Sequence, residues 1–233
     1  DINEYVLVLQ TIANSQADSP FPISMSEPYI RPRKGSIKKP LRIAVLISGS
    51  GSGLLALLNH QQSNKSPHIT KLIISDNVNA GGLRHGEDFG ISAVAIPLPD
   101  FTDKDQQRKM HENLIHDMLI DSDIELVVLS GYMRILTPTF VSKWKGRLIN
   151  IHPSLLPKYP GAHAHRDALA GGAKITGCTV HLVDEGVDTG EIIAQEEVEI
   201  LDGDTIEKLQ QRVKKIEHQL YPKVLDIYCS KYE

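Results

Sequence analysis

The segment LRIAVLISGSGSGLLALL, residues 41–58, sets the expectation for the whole fold. Its first eight residues form a continuous apolar run, which is typical of a strand buried on both faces of a parallel sheet. Gly49, Gly51 and Gly53 follow at once, and the apolar residues after them predict a helix. A strand that passes through a glycine-rich turn into a helix is typical of an open α/β sheet, in which ligands bind at the carboxyl ends of the strands.

The remainder of the chain continues this alternation. Apolar runs at residues 69–75, 91–97 and 125–130 predict further strands, and LINIH at 148–152 ends another. Two longer runs, KITGCTVHLVDEG and EIIAQEEVEI, flank a glycine-containing connection and predict an antiparallel pair. The fold class expected from this order is a doubly wound, mostly parallel α/β sheet with an antiparallel C-terminal extension.

Two helices carry capping-box patterns at their start. Asp103 with Gln106 precedes a helix whose apolar residues recur at i, i+4 spacing, and these are Met110, Leu114 and Met118. Asp204 with Glu207 precedes a last helix with an apolar stripe. We expect the last helix to pack back on the sheet.

Composition limits the partners and the compartment. The chain has 233 residues, of which 41% are hydrophobic, and its net charge of -4 gives no general case for binding nucleic acid or an anionic membrane. No apolar run approaches the ~20 residues that cross a bilayer. The two cysteines, Cys178 and Cys229, lack the spacing of metal ligands and fit a reducing compartment, so we expect a cytoplasmic protein.

The first 40 residues differ from the rest of the chain. Prolines recur there without apolar periodicity, which predicts a loosely ordered arm over residues 1–40 ahead of one domain over residues 41–233. YVLVL near the start is too short for a secretory signal and follows acidic residues. The basic residues of the arm, Arg31, Arg33, Lys34, Lys38 and Lys39, are interpreted as a solvated linker rather than a phosphate contact or a targeting remnant.

A candidate catalytic group follows from Asn150 and His152. Alternate residues of a strand share a face, and Pro153 keeps His152 out of the helical region. Asp188, in the acidic connection between the last two strands, could join them, because a carboxylate beside an imidazole favours its protonated form. Such a set suits a reaction that develops an oxyanion on a carbonyl, as in acyl transfer. The alternative is a turn asparagine, a core histidine and a solvated carboxylate.

No serine or cysteine lies in a recognised nucleophile motif, so the attacking group would belong to a substrate. The glycine turn could bind a phosphate at the start of the following helix, or could simply allow the helix to pack closely on its strand. It is neither a Walker loop nor a dinucleotide fingerprint, since Leu54 stands at the final glycine position.

Four segments in order, ISGSGSGL, SGYMRILTP, NIHPSLLPKYPG and HLVDEGVDTGEIIAQ, closely resemble the phosphoribosylglycinamide formyltransferases, or GAR transformylases, of purine synthesis. The resemblance covers about residues 41–228 and implies a Rossmann-like formyltransferase fold. It also implies that 10-formyltetrahydrofolate, as co-substrate, donates its formyl group to the amine of glycinamide ribonucleotide. Asn150 would then donate to the formyl oxygen, His152 would act as general acid, and Asp188 would favour the imidazolium and assist proton movement.

The resemblance assigns the ligand contacts as well. The ribonucleotide would lie against Gly51, Ser52, Gly53, Pro153 and Glu217. The folate would lie against Arg108, Met133, Arg134, Ile135, Leu136, Asp184, Glu185 and Val187. No metal, nucleic acid or membrane is implied, and the assembly would be a monomer or a homodimer. His163 and His165 stand two residues apart, but zinc needs three or four ligands, so we predict no metal site.

One residue departs from the family, which commonly has Asn where this chain has Gly53. A side-chain contact to the ribonucleotide would be lost there. Two enzyme alternatives stay open, a formyltetrahydrofolate deformylase and a formyltransferase with another amine acceptor, because the catalytic residues do not identify the acceptor. A nucleotide-binding module without catalysis is the third alternative.

Overall fold

The structure is a computed structural model and describes residues 30–231. The strands are β1 Leu41–Ile47, β2 His68–Ser75, β3 Ser92–Ala95, β4 Leu126–Leu129, β5 Leu148–His152, β6 Ile175–Leu182 and β7 Ile192–Glu199. The α-helices are α1 Ser52–Ser63, α2 Arg84–Phe89, α3 Lys104–Asp121, α4 Pro138–Lys143, α5 Ala164–Ala170 and α6 Ile206–Lys231. A 3₁₀ turn, Gly81–Leu83, precedes α2.

All seven strands form one sheet in the order β3-β2-β1-β4-β5-β6-β7. The pairs from β3 to β5 are parallel, whereas β5 with β6 and β6 with β7 are antiparallel. The predicted fold class is therefore confirmed. The chain order reverses between β1 and β4, and ligands of such sheets bind at this reversal, beyond the carboxyl ends of the strands.

The central strand β1 is buried on both faces from Ile43 to Ile47, which explains its apolar sequence there. Ile43, Val45 and Ile47 are buried in a cluster that includes side chains of α1 and α6. Ala44 and Leu46 are buried in a second cluster with side chains of α3 and α4. Both faces of the sheet are covered, so the strand shows no polar alternation.

The helix α3 forms as predicted, but of its apolar residues at i, i+4 spacing only Met118 packs against the core. Asp103 caps the helix as predicted, accepting from the amides of Asp105 and Gln106, but Met110 and Leu114 are 44% and 45% exposed. The buried face begins one residue later and includes two polar side chains, His111 and Glu112. These are satisfied inside the fold: the His111 ring bonds to the Ile96 carbonyl at 2.7 Å and Glu112 accepts from Thr137. Buried polar groups on the inner face conceal a helix's periodicity.

The start of α6 also differs from its prediction by one residue. Thr205 accepts from the amide of Lys208 at 3.3 Å and caps the helix. Asp204 instead pairs with Arg212 at 2.6 Å and accepts from the Leu201 amide. The side-chain bond from Arg212 is the main reason that the pKa of Asp204 is lowered to about 2.

Residues 1–29 of the predicted arm lie outside the described part of the chain. The residues after them lie against the domain: Arg33 makes a two-point contact with Glu125 at 2.6 and 2.9 Å, and Arg31 pairs with Glu191 at 3.3 Å. The Gly35 amide also donates to the Cys229 carbonyl at 2.7 Å. The interpretation as a solvated linker is therefore wrong for Arg31 and Arg33, whereas Lys34, Lys38 and Lys39 are exposed. The domain boundary at residue 40 stays a prediction.

A polar cluster fixes α6 to the opposite end of the sheet from the reversal point. Asp226 accepts from His60 at 2.6 Å and from Ser66, and it lies 3.1 Å from the buried ring of His68. Burial alone would raise the pKa of Asp226, but hydrogen bonds from these three side chains hold it below the ordinary range.

Among the helices of residues 30–231, none has the length and apolar character that crossing a membrane requires.

Candidate active site

A crevice opens where β1 and β4 end side by side. The loop after β1 and the loop after β4 are tied together, because Ser48 donates its amide to the Gly131 carbonyl at 3.1 Å and accepts from the Met133 amide at 2.9 Å. The end of β5 lies next to β4 in the same sheet. Three predicted groups therefore meet at one edge: the glycine turn, the SGYMRIL loop and the Asn150–His152 pair.

The glycine turn presents backbone amides at the start of α1. Gly51 has φ 70°, and a Cβ there would lie 2.7 Å from the Gly82 Cα, so both its backbone conformation and the close neighbour require glycine. No side chain of the described residues caps α1. The amides of Gly51, Ser52 and Gly53 and the positive end of the helix dipole thus suit an anion, as predicted for a phosphate.

At Gly53 the nearest neighbour of an added side chain would be another side chain rather than the backbone. A Cβ at this position would lie 2.5 Å from the Ser130 hydroxyl oxygen and 3.9 Å from the Ser130 Cβ. The hydroxyl thus occupies the space into which a side chain at 53 would extend. A side chain at residue 53 would therefore require the Ser130 hydroxyl to turn away.

The predicted catalytic side chains are brought together. Asp188 Oδ2 lies 3.3 Å from His152 Nδ1, and the same oxygen accepts from the Gly161 amide at 2.8 Å. His152 is 5% exposed, and the Asp188 side chain is 13% exposed. Asp188 itself has φ 55°, a left-handed conformation that Asp and Asn tolerate better than most residues. A turn carboxylate that is buried against an imidazole is not a solvated loop residue.

The second ring nitrogen of His152 also faces an acceptor. Nε2 lies 2.9 Å from the Tyr159 carbonyl, which accepts from Ser154 as well at 3.1 Å. A carbonyl on one side and a carboxylate on the other are both satisfied when the ring carries two protons. The site thus holds His152 in surroundings that suit a proton donor.

His181 is a site residue that the sequence analysis missed. It lies opposite Asn150 in the antiparallel register of β5 and β6, and its Nε2 is 3.2 Å from Asn150 Nδ2. Its Nδ1 is 2.9 Å from the Leu182 carbonyl. Burial lowers the pKa of His181. Only the register across the sheet reveals this neighbour, because 31 residues separate it from Asn150 along the chain.

A cavity of about 520 Å³ adjoins the SGYMRIL loop. It is lined by the five residues of the predicted folate group that precede the acidic loop, together with Leu98, Lys104, Gln107, His111, Glu112 and Tyr132. Arg108 donates to the Ile135 carbonyl at 2.9 Å, and Arg134 pairs with Asp76 at 2.6 Å. Met133 and Ile135 are 76% and 64% exposed, so the rim offers uncovered apolar surface to a ligand.

Tyr132 is one of the lining residues, and its hydroxyl is buried with no hydrogen-bond partner among the described residues. Burial raises its pKa, so it stays a neutral donor. Asp184, Glu185 and Val187 do not line the cavity. Asp184 instead shapes the acidic loop, accepting from the Gly186 amide and the Thr189 hydroxyl.

Glu217 lies partly buried on α6. Burial raises its pKa to about 7, and nearby Lys214 opposes the shift.

His163 is exposed at the start of α5, and His165 is partly buried on its first turn. Within residues 30–231, no three His, Cys, Asp or Glu side chains are grouped as metal ligands.

Comparison with known proteins identifies relatives over most of the chain. Residues 41–225 match the family model described as formyl transferase. The chain is 40% identical over 190 residues to the phosphoribosylglycinamide formyltransferase of Escherichia coli (strain K12), covering 82% of this chain and 88% of that protein. A solved phosphoribosylglycinamide formyltransferase from Brucella melitensis is 42% identical with a TM-score of 0.76, covering 84% of this chain and 98% of that one.

A second group of relatives is much longer. The chain is 44% identical over 193 residues to the trifunctional purine biosynthetic protein adenosine-3 of Chironomus tentans, covering 82% of this chain. It spans only 14% of that relative's length.

Proposed function

The chain belongs to the formyl transferase family, and from that premise we propose that it transfers the formyl group of 10-formyltetrahydrofolate to the amine of glycinamide ribonucleotide. The observation that carries the proposal is the contact of Asp188 with His152 at the end of β5, on the sheet edge that also has an amide-rich turn after β1 and an apolar-rimmed cavity beside the loop after β4. A phosphate and a folate ring would then bind at the same edge as the carbonyl-activating group.

The amine of the ribonucleotide attacks the formyl carbon and makes the new C–N bond. The carbonyl oxygen gains negative charge, which the Asn150 amide stabilises as a donor. The Nε2–H of His152 faces the Tyr159 carbonyl, so it would join Asn150 only by exchanging that carbonyl for the oxyanion. The attacking nitrogen loses a proton, the folate nitrogen gains one as its bond to the formyl carbon breaks, and His152 moves protons between them with Asp188 as its carboxylate partner. No serine or cysteine nucleophile is needed.

The ligands are assigned to the two ends of the crevice. The amides of Gly51, Ser52 and Gly53 suit the phosphate of the ribonucleotide, with Glu217 on its ribose and Pro153 beside it. The cavity suits the folate, whose flat ring would cover Met133 and Ile135. Asp184, Glu185 and Val187 would contact the folate from the acidic loop only if that loop moves toward the cavity. Cytoplasmic location and a monomeric or homodimeric state stay predictions.

Two other enzyme activities use the same catalytic residues. Water in place of the amine would give a formyltetrahydrofolate deformylase, and a different amine would give another formyltransferase. A module that binds the ribonucleotide without turnover is the third possibility, motivated by Gly53.

One assay separates these activities. With 10-formyltetrahydrofolate as the sole donor, glycinamide ribonucleotide, other primary amines and buffer alone are compared as acceptors. We expect tetrahydrofolate to form rapidly only with the ribonucleotide. Equal rates without any amine would identify a deformylase, and ribonucleotide binding by calorimetry without turnover would identify the binding module.

A further inference from the structure

His181 lies at the centre of the site and has no role in the reaction described above. We infer that His181 is a positioning residue, which accepts a hydrogen bond from the Asn150 side chain and so fixes which end of that amide faces the reacting carbonyl. The part about the carbonyl rests on the proposed function, whereas the hydrogen-bond arrangement does not.

The backbone brings the two side chains together. β5 and β6 are antiparallel, and Asn150 is the cross-strand partner of His181. Side chains of directly paired residues lie on the same face of a sheet and within contact. The distance between Asn150 Nδ2 and His181 Nε2 is 3.2 Å, and His181 is 2% exposed, so water does not compete for the bond.

The neighbour of the other ring nitrogen fixes the tautomer. His181 Nδ1 lies 2.9 Å from the Leu182 carbonyl, which can only accept, so Nδ1 carries a proton. A neutral ring then has a lone pair at Nε2. The group facing that lone pair must be a donor, and the amide nitrogen of Asn150 satisfies this requirement, whereas its oxygen would be repelled.

The charged groups around His181 have opposing effects on its protonation. Asp188 Oδ1 lies 3.7 Å from Nε2, and both Asp188 and Asp184 favour a charged ring. Burial is the largest effect and favours the neutral ring, and the neighbouring His152 acts in the same direction. A proton on His152, which lies closer to Asp188 at 3.3 Å, further disfavours a second positive charge at His181.

The consequence for catalysis concerns the second amide hydrogen of Asn150. With one N–H committed to His181, the other points away from the ring and is free for the oxyanion. If the amide were reversed, its oxygen would face the developing negative charge and destabilise it. His181 therefore acts through Asn150 rather than on the substrate.

The first test does not depend on activity. ¹⁵N NMR of histidine-labelled protein distinguishes the Nδ1–H tautomer from the Nε2–H tautomer and from the charged ring. We expect His181 to be neutral with its proton on Nδ1 at pH 7. An Nε2–H tautomer or a charged ring would overturn the inference.

The second test is a double-mutant cycle on kcat. Removing one oxyanion donor costs about 10² to 10³ in kcat, so His181→Leu is expected to lower kcat about 10- to 100-fold with both KM values within about threefold. His181→Gln, which keeps an acceptor near the Nε2 position, should recover about tenfold of that loss. In an Asn150→Ala background, His181→Leu should change kcat by less than about threefold, because the two residues act as a unit.

His116→Leu is the matched control. His116 accepts from the Trp144 ring at 3.2 Å, between α3 and α4 and away from the cavity, so its replacement should leave kcat unchanged. Fully additive losses for Asn150→Ala and His181→Leu would overturn the inference. If the parent protein shows no turnover with any amine, the proposed function fails, and the tautomer measurement alone decides the inference.

Discussion

Replacing Asp188 by Asn removes one charge and little else. Asn tolerates the left-handed backbone at this position, and its side-chain oxygen can still accept from the Gly161 amide. At the 3.3 Å between Asp188 Oδ2 and His152 Nδ1, a carboxylate and an imidazolium attract by about 1 kcal/mol in water and about 5 kcal/mol at an effective dielectric constant of about 20. The variant loses this attraction.

The expected result is a fall in kcat near neutral pH on the order of 10² or more, the usual contribution of positioned acid–base catalysis. KM for either substrate should change less, because the Asp188 charge acts mainly in the transition state, where charge develops on the reacting groups. Steady-state rates and histidine NMR titration on the same variant measure both effects. Asp202→Asn is the control, since that side chain is fully exposed and pairs with Lys174 at 3.4 Å.

The reasoning would be refuted by a kcat within about threefold of the parent together with an unchanged His152 titration. Asp188 would then have only a structural role, holding Gly161 and the loop after β5. In that case the substitution should cost stability without affecting the chemistry, and thermal unfolding of the same samples would show it.

Further predictions test other parts of the account. The double variant Gly53→Ala, Ser130→Ala should melt about 2–4 °C above Gly53→Ala alone, because the Ser130 hydroxyl no longer clashes with the new methyl group. Equal melting temperatures would contradict this. Glu217→Gln should stabilise the protein at pH 8 and not at pH 4. Burial raises the pKa of the Glu217 carboxyl to about 7, so the folded protein loses stability as this group ionises with rising pH. The same variant should raise KM for the ribonucleotide. Asp226→Asn should destabilise by about 1–3 kcal/mol at pH 7, with the difference shrinking below about pH 4 as the depressed carboxyl is protonated, measured by denaturant unfolding. Activity should survive prolonged chelation; loss that zinc reverses would assign ligands to the histidines near α5.

The sheet could be predicted because its signals are local. A strand segment buried on both faces is apolar, and β1 from Ile43 to Ile47, β2 from Leu72 to Ile74 and the whole of β4 have that pattern. The short helices α2, α4 and α5 have six or seven residues each, too few to display an apolar period. On α3 the period is present but displaced, because His111 and Glu112 occupy inward positions that an apolar pattern would assign to Leu or Ile.

The site could be predicted only as far as motifs reach along the chain. Asn150 and His152 share a strand face, and the acidic loop could be matched to them through the resemblance. His181 could not be found this way, since a single histidine in an apolar strand is most often a core residue, and only the antiparallel register places it against Asn150. The Tyr159 carbonyl that faces His152 is likewise set by the backbone of the proline-rich turn and has no side-chain signal.

Formyl transfer from the folate to the ribonucleotide can be tested directly by following the formyl carbon itself. The protein is mixed with 10-formyltetrahydrofolate labelled with ¹³C at the formyl group and with glycinamide ribonucleotide, and the label is observed by NMR. The account predicts that the ¹³C signal moves to a formamide carbon on the ribonucleotide, with one tetrahydrofolate released for each formyl group transferred. Label recovered as formate, or retained on the folate at stoichiometric protein, would contradict it.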